Sequence, residues 1–116
     1  VQLCLHAIED RLEAYESQWD ERHSCGVVIA SKGYPEKYLS NQEVQITELH
    51  SEDMKLFHAG TTLKDHQVMT SGGRVFCATA LGINLKEAQS KAYDLVNSVS
   101  FNGAFYRKDI GYKGIK

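Results

Sequence analysis

Between residues 84 and 99 the apolar positions fall on one helical stripe. Leu85, Ala88, Ala92, Leu95, Val96 and Val99 recur at three- and four-residue steps. Asn84 stands just ahead of them and Glu87 three residues later, the pairing of a capping box, whose side chains satisfy backbone NH groups of the first turn. The spacing predicts a helix over 84–99. A second stripe, Leu3, Leu5, Ile8, Leu12 and Tyr15, has Glu9, Asp10, Arg11 and Glu13 on its other side and predicts a helix over 1–15. The polar run Ser17–Arg22 reads as a connector, with Trp19 as an anchor.

The rest of the chain reads as strands and turns. Ser24–Ala30 is a short β-branched run typical of a buried strand. Ser31-Lys32-Gly33-Tyr34-Pro35 is a turn, in which Gly33 can take positive φ and Pro35 biases Tyr34 toward extended backbone. Residues 36–53 are polar and irregular, with a short strand expected at 44–47. Lys55–Thr62 reads as a strand with one glycine, Lys64–Gln67 as a hairpin turn and Val68–Thr70 as the returning strand. After Gly72 and Gly73, Arg74–Leu81 reads as a further strand closed by Gly82. One short strand and an ordered tail are expected over 100–116. The class is α+β: a small antiparallel sheet of three or four strands with a flanking helix and an N-terminal helix.

Composition narrows this picture. The chain has 116 residues, 42% apolar and 24% charged, with one proline and nine glycines. That fits one globular domain and excludes collagen-like, coiled-coil and disordered classes. No apolar run approaches the ~20 residues of a membrane span. The chain opens without methionine and in what reads as mid-helix, so a piece of a longer protein is expected.

Net charge is −2, distributed as −4 over residues 1–23, −1 over 24–100 and +3 over 101–116. A nucleic-acid interface would need a basic face, so none is expected, and the basic tail reads as solvated surface. Cys4, Cys25 and Cys77 form no disulfide framework and no C-x-x-C. They read as structural thiols of a reduced, cytosolic compartment.

Candidate chemistry is sparse. His6, His23, His50, His58 and His66 show no metal-ligand spacing, and there is no Gly-x-Ser-x-Gly elbow, Walker motif or GxGxxG. Cys77, inside a strand, is a poor thiolate. Thr70-Ser71-Gly72-Gly73-Arg74 stands out. Its NH groups could converge on an anion, with the planar fork of Arg74 suited to phosphate or carboxylate. The same residues also read as a β-bulge or wide hairpin loop bearing a surface arginine. His58-Ala59-Gly60-Thr61 reads first as packing, with Gly60 admitting another backbone.

In combination these segments are more specific. Phe57-His58-Ala59-Gly60-Thr61, Asp65 at a turn, and Val68-x-Thr70-x-Gly72-Gly73-Arg74-Val75 resemble the C-terminal domain of the phosphoribosylamine–glycine ligases, or glycinamide ribonucleotide synthetases. The flanks agree: Ala30-Ser31-x-Gly33-Tyr34-Pro35, Thr79-Ala80-Leu81-Gly82 before the Glu87-Ala88 helix, and Phe105-Tyr106-Arg107-x-Asp109-Ile110-Gly111. The match runs in order over roughly residues 19–113. His66 and Phe76 depart from it, standing where the family often has glycine and leucine.

The resemblance implies an ATP-grasp ligase, cytoplasmic, acting in de novo purine synthesis without nucleic-acid or membrane partners. It joins phosphoribosylamine to glycine through a phosphorylated glycine carboxylate, releasing ADP and phosphate. Residues 1–18 would be the trailing helix of the preceding ATP-grasp domain, and 19–116 the C-terminal ligase domain. ATP and Mg²⁺ (or Mn²⁺) would be held outside this chain, by its main partner, the rest of the ligase; alone it would be inactive. Arg74, Gly73, Gly72, Ser71 and Thr70 would line the substrate cleft, with Arg74 toward the ribose phosphate. No catalytic, cofactor or metal residue is assigned here. The alternatives are the equivalent domain of a biotin-carboxylase-like enzyme and a free-standing cytosolic binding or regulatory module.

Overall fold

The computed structural model describes residues 1–47 and 51–115; His50 and Lys116 lie outside them, as does part of the irregular 36–53 segment. The elements are α1 (Gln2–Ile8), β1 (His23–Ser31), β2 (Gln45–Ile46), β3 (Met54–His58), β4 (Thr61–Lys64), β5 (Gln67–Thr70), β6 (Arg74–Gly82), α2 (Leu85–Asn97), β7 (Val99–Ser100) and β8 (Ala104–Phe105), with 3₁₀ turns at Leu12–Ala14 and Tyr112–Gly114.

The centre is an antiparallel sheet in the order β3-β6-β1-β8. The nine-residue strands β1 and β6 pair from His23↔Gly82 to Ala30↔Arg74. Alternate residues Cys25, Val27 and Ile29 of β1, with Phe76, Ala78 and Ala80 of β6, are buried. Helix α2 lies across this face and buries Ala88, Ala92, Leu95 and Val96. The small side chains at 78, 80, 88 and 92 let helix and sheet approach closely. The capping box forms: Asn84 Oδ1 accepts from the Glu87 NH at 2.9 Å. Glu87 Oε2 accepts from the NH of Ile83 at 2.9 Å, one residue earlier than the ideal motif.

Beside the sheet stand two short ladders, β4–β5 and β2–β7. The β4–β5 turn places both Asp65 (φ 48°) and His66 (φ 64°) in the left-handed region, as a two-residue type I′ hairpin demands.

Four expectations change. The segment expected as one strand over 55–62 is two strands, broken at Ala59-Gly60, where both NH groups turn to the Val75 carbonyl (3.0 and 3.1 Å). The helix expected to reach residue 99 ends at Asn97, and Val99 instead begins β7 ahead of the tail strand β8. The helix expected over 1–15 stops at Ile8, with Asp10 at φ 55°, because its apolar stripe finds no partner surface and none of its residues is buried. Trp19, 88% exposed, anchors nothing within the described residues.

Candidate functional site

The 70–74 segment links the hairpin to the central sheet, and both of its ends are clamped. Thr70 is fully buried. Its NH donates to the Gln42 carbonyl at 2.8 Å, its carbonyl accepts from the Asn41 NH at 2.7 Å, and its hydroxyl oxygen accepts from the Gln42 NH at 2.9 Å. At the other end buried Ser31 donates twice, from its NH to the Gly73 carbonyl at 2.8 Å and from its hydroxyl to the Gly72 carbonyl at 3.1 Å.

Two backbones cross between these clamps. The Gly60 carbonyl accepts from the NH groups of Ser71 (2.8 Å) and Gly72 (3.2 Å). A Cβ on Gly60 would lie 2.5 Å from the Arg74 carbonyl oxygen and 2.9 Å from the Gly72 Cα. Only glycine permits that approach. On the far side, a Cβ on Gly73 would lie 2.4 Å from the Tyr34 ring. The crossing corrects one expectation: the NH groups of Ser71 and Gly72 converge on a protein carbonyl, not on an open anion cradle.

A bulge is also present. Ile29 pairs with Phe76 and Ala30 with Arg74, leaving Val75 unmatched by β1. Bulges turn the strand and re-aim the adjoining side chain. The arginine beside it is exposed. Among the described residues its side chain makes no ion pair, whereas Arg11, Arg22 and Arg107 each engage a carboxylate. His58 is close by in the fold: it pairs with Phe76, stacks edge-on against that ring at 4.9 Å and shares a hydrogen bond with the Thr61 hydroxyl (2.9 Å).

Of the five residues expected to line a cleft, then, Ser71 and Arg74 present side chains to solvent. Gly72 and Gly73 shape the backbone beneath them, and enclosed Thr70 holds the end of the loop. Ser31 and Gln42, which fasten that loop, were invisible to spacing because they lie far from it in the chain.

Asp20 and Asp53 hold Arg22, Asp53 and Glu87 hold Lys91, and Asp109 holds Arg107. Hydrogen bonds from Arg22 hold the Asp20 carboxyl down at about 2. Among the described residues no group of three His, Cys, Asp or Glu could hold a metal ion. Cys25 is buried and its thiol is pushed up by desolvation; Cys4 is exposed and Cys77 half-buried. No helix among the described residues is long and apolar enough to cross a membrane.

Comparison with known proteins adds a family. Residues 24–113 match the family described as phosphoribosylglycinamide synthetase, C domain. The phosphoribosylamine–glycine ligase of Vibrio parahaemolyticus is 47% identical over 116 residues, covering 99% of this chain and 27% of the relative. That of Salmonella typhimurium is 49% identical over 118 residues, covering 100% and 28%. The crystal structure of the ligase from Thermotoga maritima superposes with a TM-score of 0.74 at 30% identity, covering 91% of this chain and 27% of that one. The chain therefore spans about a quarter of the length of these relatives. The biotin-carboxylase-like alternative falls away.

Proposed function

The chain belongs to the phosphoribosylglycinamide synthetase C-domain family, and on that premise we propose that it forms one wall of the substrate cleft of an ATP-dependent ligase. That ligase joins phosphoribosylamine and glycine into glycinamide ribonucleotide, with ADP and phosphate as the other products, in the cytoplasmic synthesis of purines. The observation that carries the reading is Arg74: an exposed arginine, unpaired among the described residues, on a backbone clamped from both sides, inside the segment that matches the family.

Within this reading Arg74 grips the 5′-phosphate of phosphoribosylamine. Its guanidinium offers two parallel N–H donors to two phosphate oxygens. The Ser71 hydroxyl supplies a further donor. The Gly60–Gly72 crossing and the Tyr34 ring over Gly73 keep the loop from drifting, so the substrate meets a site already in place. Thr70 serves by tying the loop to Gln42.

Among the described residues no group of three His, Cys, Asp or Glu could hold a metal ion, so this reading looks outside the chain for ATP and Mg²⁺ (or Mn²⁺). They belong in the reading to the preceding ATP-grasp domain, which supplies the phosphoryl chemistry. In this reading residues 1–18, of which α1 covers only Gln2–Ile8, are the trailing segment of that domain, and 19–116 the C-terminal ligase domain. The wholly unburied α1, with Ile8 81% exposed, suits a segment whose packing partner lies elsewhere in the enzyme. In this reading the chain by itself catalyses no ligation.

Steady-state kinetics of Arg74→Ala in the full-length ligase tests the assignment. We expect KM for phosphoribosylamine to rise by about tenfold or more, the effect of losing a charge-assisted hydrogen-bond pair. KM for ATP should stay within about twofold of wild type. Equal effects on both substrates would remove Arg74 from the phosphate.

A further inference from the structure

Asn102 and Gly103 form the turn between β7 and β8. The Ala104 NH donates to the Phe101 carbonyl at 3.1 Å, and Gly103 takes φ +79°, as the third residue of a type II turn does. The fold requires glycine there for a second reason: a Cβ would lie 2.8 Å from the Lys32 Cβ. The turn therefore sets asparagine, a thermolabile residue, directly before a residue with no side chain to shield its nitrogen. Asn102 is exposed, and the Gly103 NH has no hydrogen-bond partner among the described residues.

The other asparagines lack this combination. The NH after Asn41 is held by the Thr70 hydroxyl (2.9 Å), and the NH after Asn97 by the Leu95 carbonyl (3.2 Å). Asn84 precedes the branched side chain of Leu85, and its Oδ1 accepts from the Glu87 NH.

What Asn102 touches gives its chemistry a consequence. Its Nδ2 donates to Gln42 Oε1 at 3.1 Å. The backbone of Gln42 in turn bonds Thr70 at both its NH and its hydroxyl, at the end of the loop that leads to Arg74. Lys32 and Lys37 line the same cleft as Asn102, and no acid does.

We propose that Asn102 is a site of spontaneous deamidation, and that the product releases Gln42. Hydroxide removes the Gly103 amide proton, and the nitrogen attacks Asn102 Cγ. A C–N bond forms and the Nδ2 group leaves as ammonia, closing a succinimide ring. Water then adds to one of the two ring carbonyls and breaks its bond to nitrogen. Opening at Cγ gives aspartate; opening at the backbone carbonyl gives isoaspartate, with the chain rerouted through the side-chain carbonyl. In sum, water is taken up and ammonia released, with no other reactant. Either product bears a carboxylate, which accepts hydrogen bonds and donates none. It cannot donate to Gln42 Oε1, and its charge enters the cleft of Lys32 and Lys37. None of this depends on the role given to Arg74.

Incubation of the ¹⁵N-labelled chain at mildly alkaline pH, sampled over days and digested for mass spectrometry, tests the site. The peptide holding Asn102 should gain the mass difference between –OH and –NH₂ and separate chromatographically into aspartyl and isoaspartyl forms. Conversion there should run at least about tenfold faster than at Asn41, Asn84 or Asn97. It should quicken as pH rises, because the attacking nitrogen must first lose its proton. NMR spectra of the aged chain should show the Gln42 and Thr70 signals displaced. Asn102→Asp, which carries the carboxylate from the start, should displace the Gln42 signals without ageing. Asn102→Gln, conservative at an exposed position, should age without conversion of residue 102 or displacement of those signals. Conversion of Asn102 no faster than that of the other asparagines overturns the site. Full conversion with Gln42 and Thr70 unmoved overturns the release of Gln42.

Discussion

Gly60→Ala probes the crossing on which the candidate site depends. The new Cβ would sit 2.5 Å from the Arg74 carbonyl oxygen, 2.9 Å from the Gly72 Cα and 3.0 Å from the Gly72 nitrogen. All three are backbone atoms, so no side chain can swing clear and the two segments must separate. Overpacking of this kind costs about 1–3 kcal/mol. Separation also stretches the bonds that the Gly60 carbonyl accepts from Ser71 and Gly72, each contributing about 1 kcal/mol net. A loss of about 2–4 kcal/mol follows, which for a domain of this size lowers Tm by about 10–20 °C. The assay is urea unfolding of the chain beside a control, Gly26→Ala. A Cβ there meets only the Cys77 sulfur at 3.4 Å and the Thr79 hydroxyl at 3.6 Å. The control should shift stability by no more than about 0.5 kcal/mol. If Gly60→Ala unfolds at the same urea concentration as the control, the crossing is not a rigid support and Arg74 loses its claim to preorganisation.

Three further outcomes are expected. His66→Gly should stabilise the chain by up to about 1 kcal/mol, because it relieves a left-handed non-glycine residue in a type I′ turn; a lower midpoint in urea would contradict that turn. Glu87 has its carboxyl held below the ordinary value of 4.5, first by the Lys91 hydrogen bond and then by the Ile83 NH. Its contribution is therefore complete above that value and lost as pH falls through the depressed one. Glu87→Gln should flatten stability over that acid window, which a series of urea midpoints from neutral pH downward will show. Trp19 is the single tryptophan. In this chain acrylamide should quench its fluorescence as it does a free indole, and shielding in the full-length ligase would support docking of the N-terminal segment on the preceding domain.

Legibility along the sequence followed how local the causes were. Helix α2 was readable because its periodicity and its cap lie within fourteen consecutive residues, Asn84 to Asn97. Strands β1 and β6 were readable because both are long and rich in buried, small or β-branched side chains. The break at Ala59-Gly60 was not, since it depends on one carbonyl, that of Val75, receiving two NH groups from another strand. The N-terminal stripe misled for the opposite reason. Its period is helical, but a short helix in water needs a packed face to persist, and this one has none within the described residues.

The candidate site shows the same division, and also a local signal that spacing does carry. Glu9 stands two residues before Arg11, Asp20 two before Arg22, and Asp109 two after Arg107. In each case the structure closes the pair. Arg74 has Gly72 and Phe76 at those distances, so its own neighbourhood offers no carboxylate to neutralise it. Among the described residues no distant carboxylate pairs with it either: Arg74 opens β6 beside the bulge opposite Ala30, with its side chain exposed. An exposed arginine free of partners loses little in solvation and keeps its full charge for an incoming anion. What the sequence could not show is the support: Ser31, Gln42 and Gly60 reach the loop from three other segments, and their convergence fixes the backbone that leads into this surface arginine.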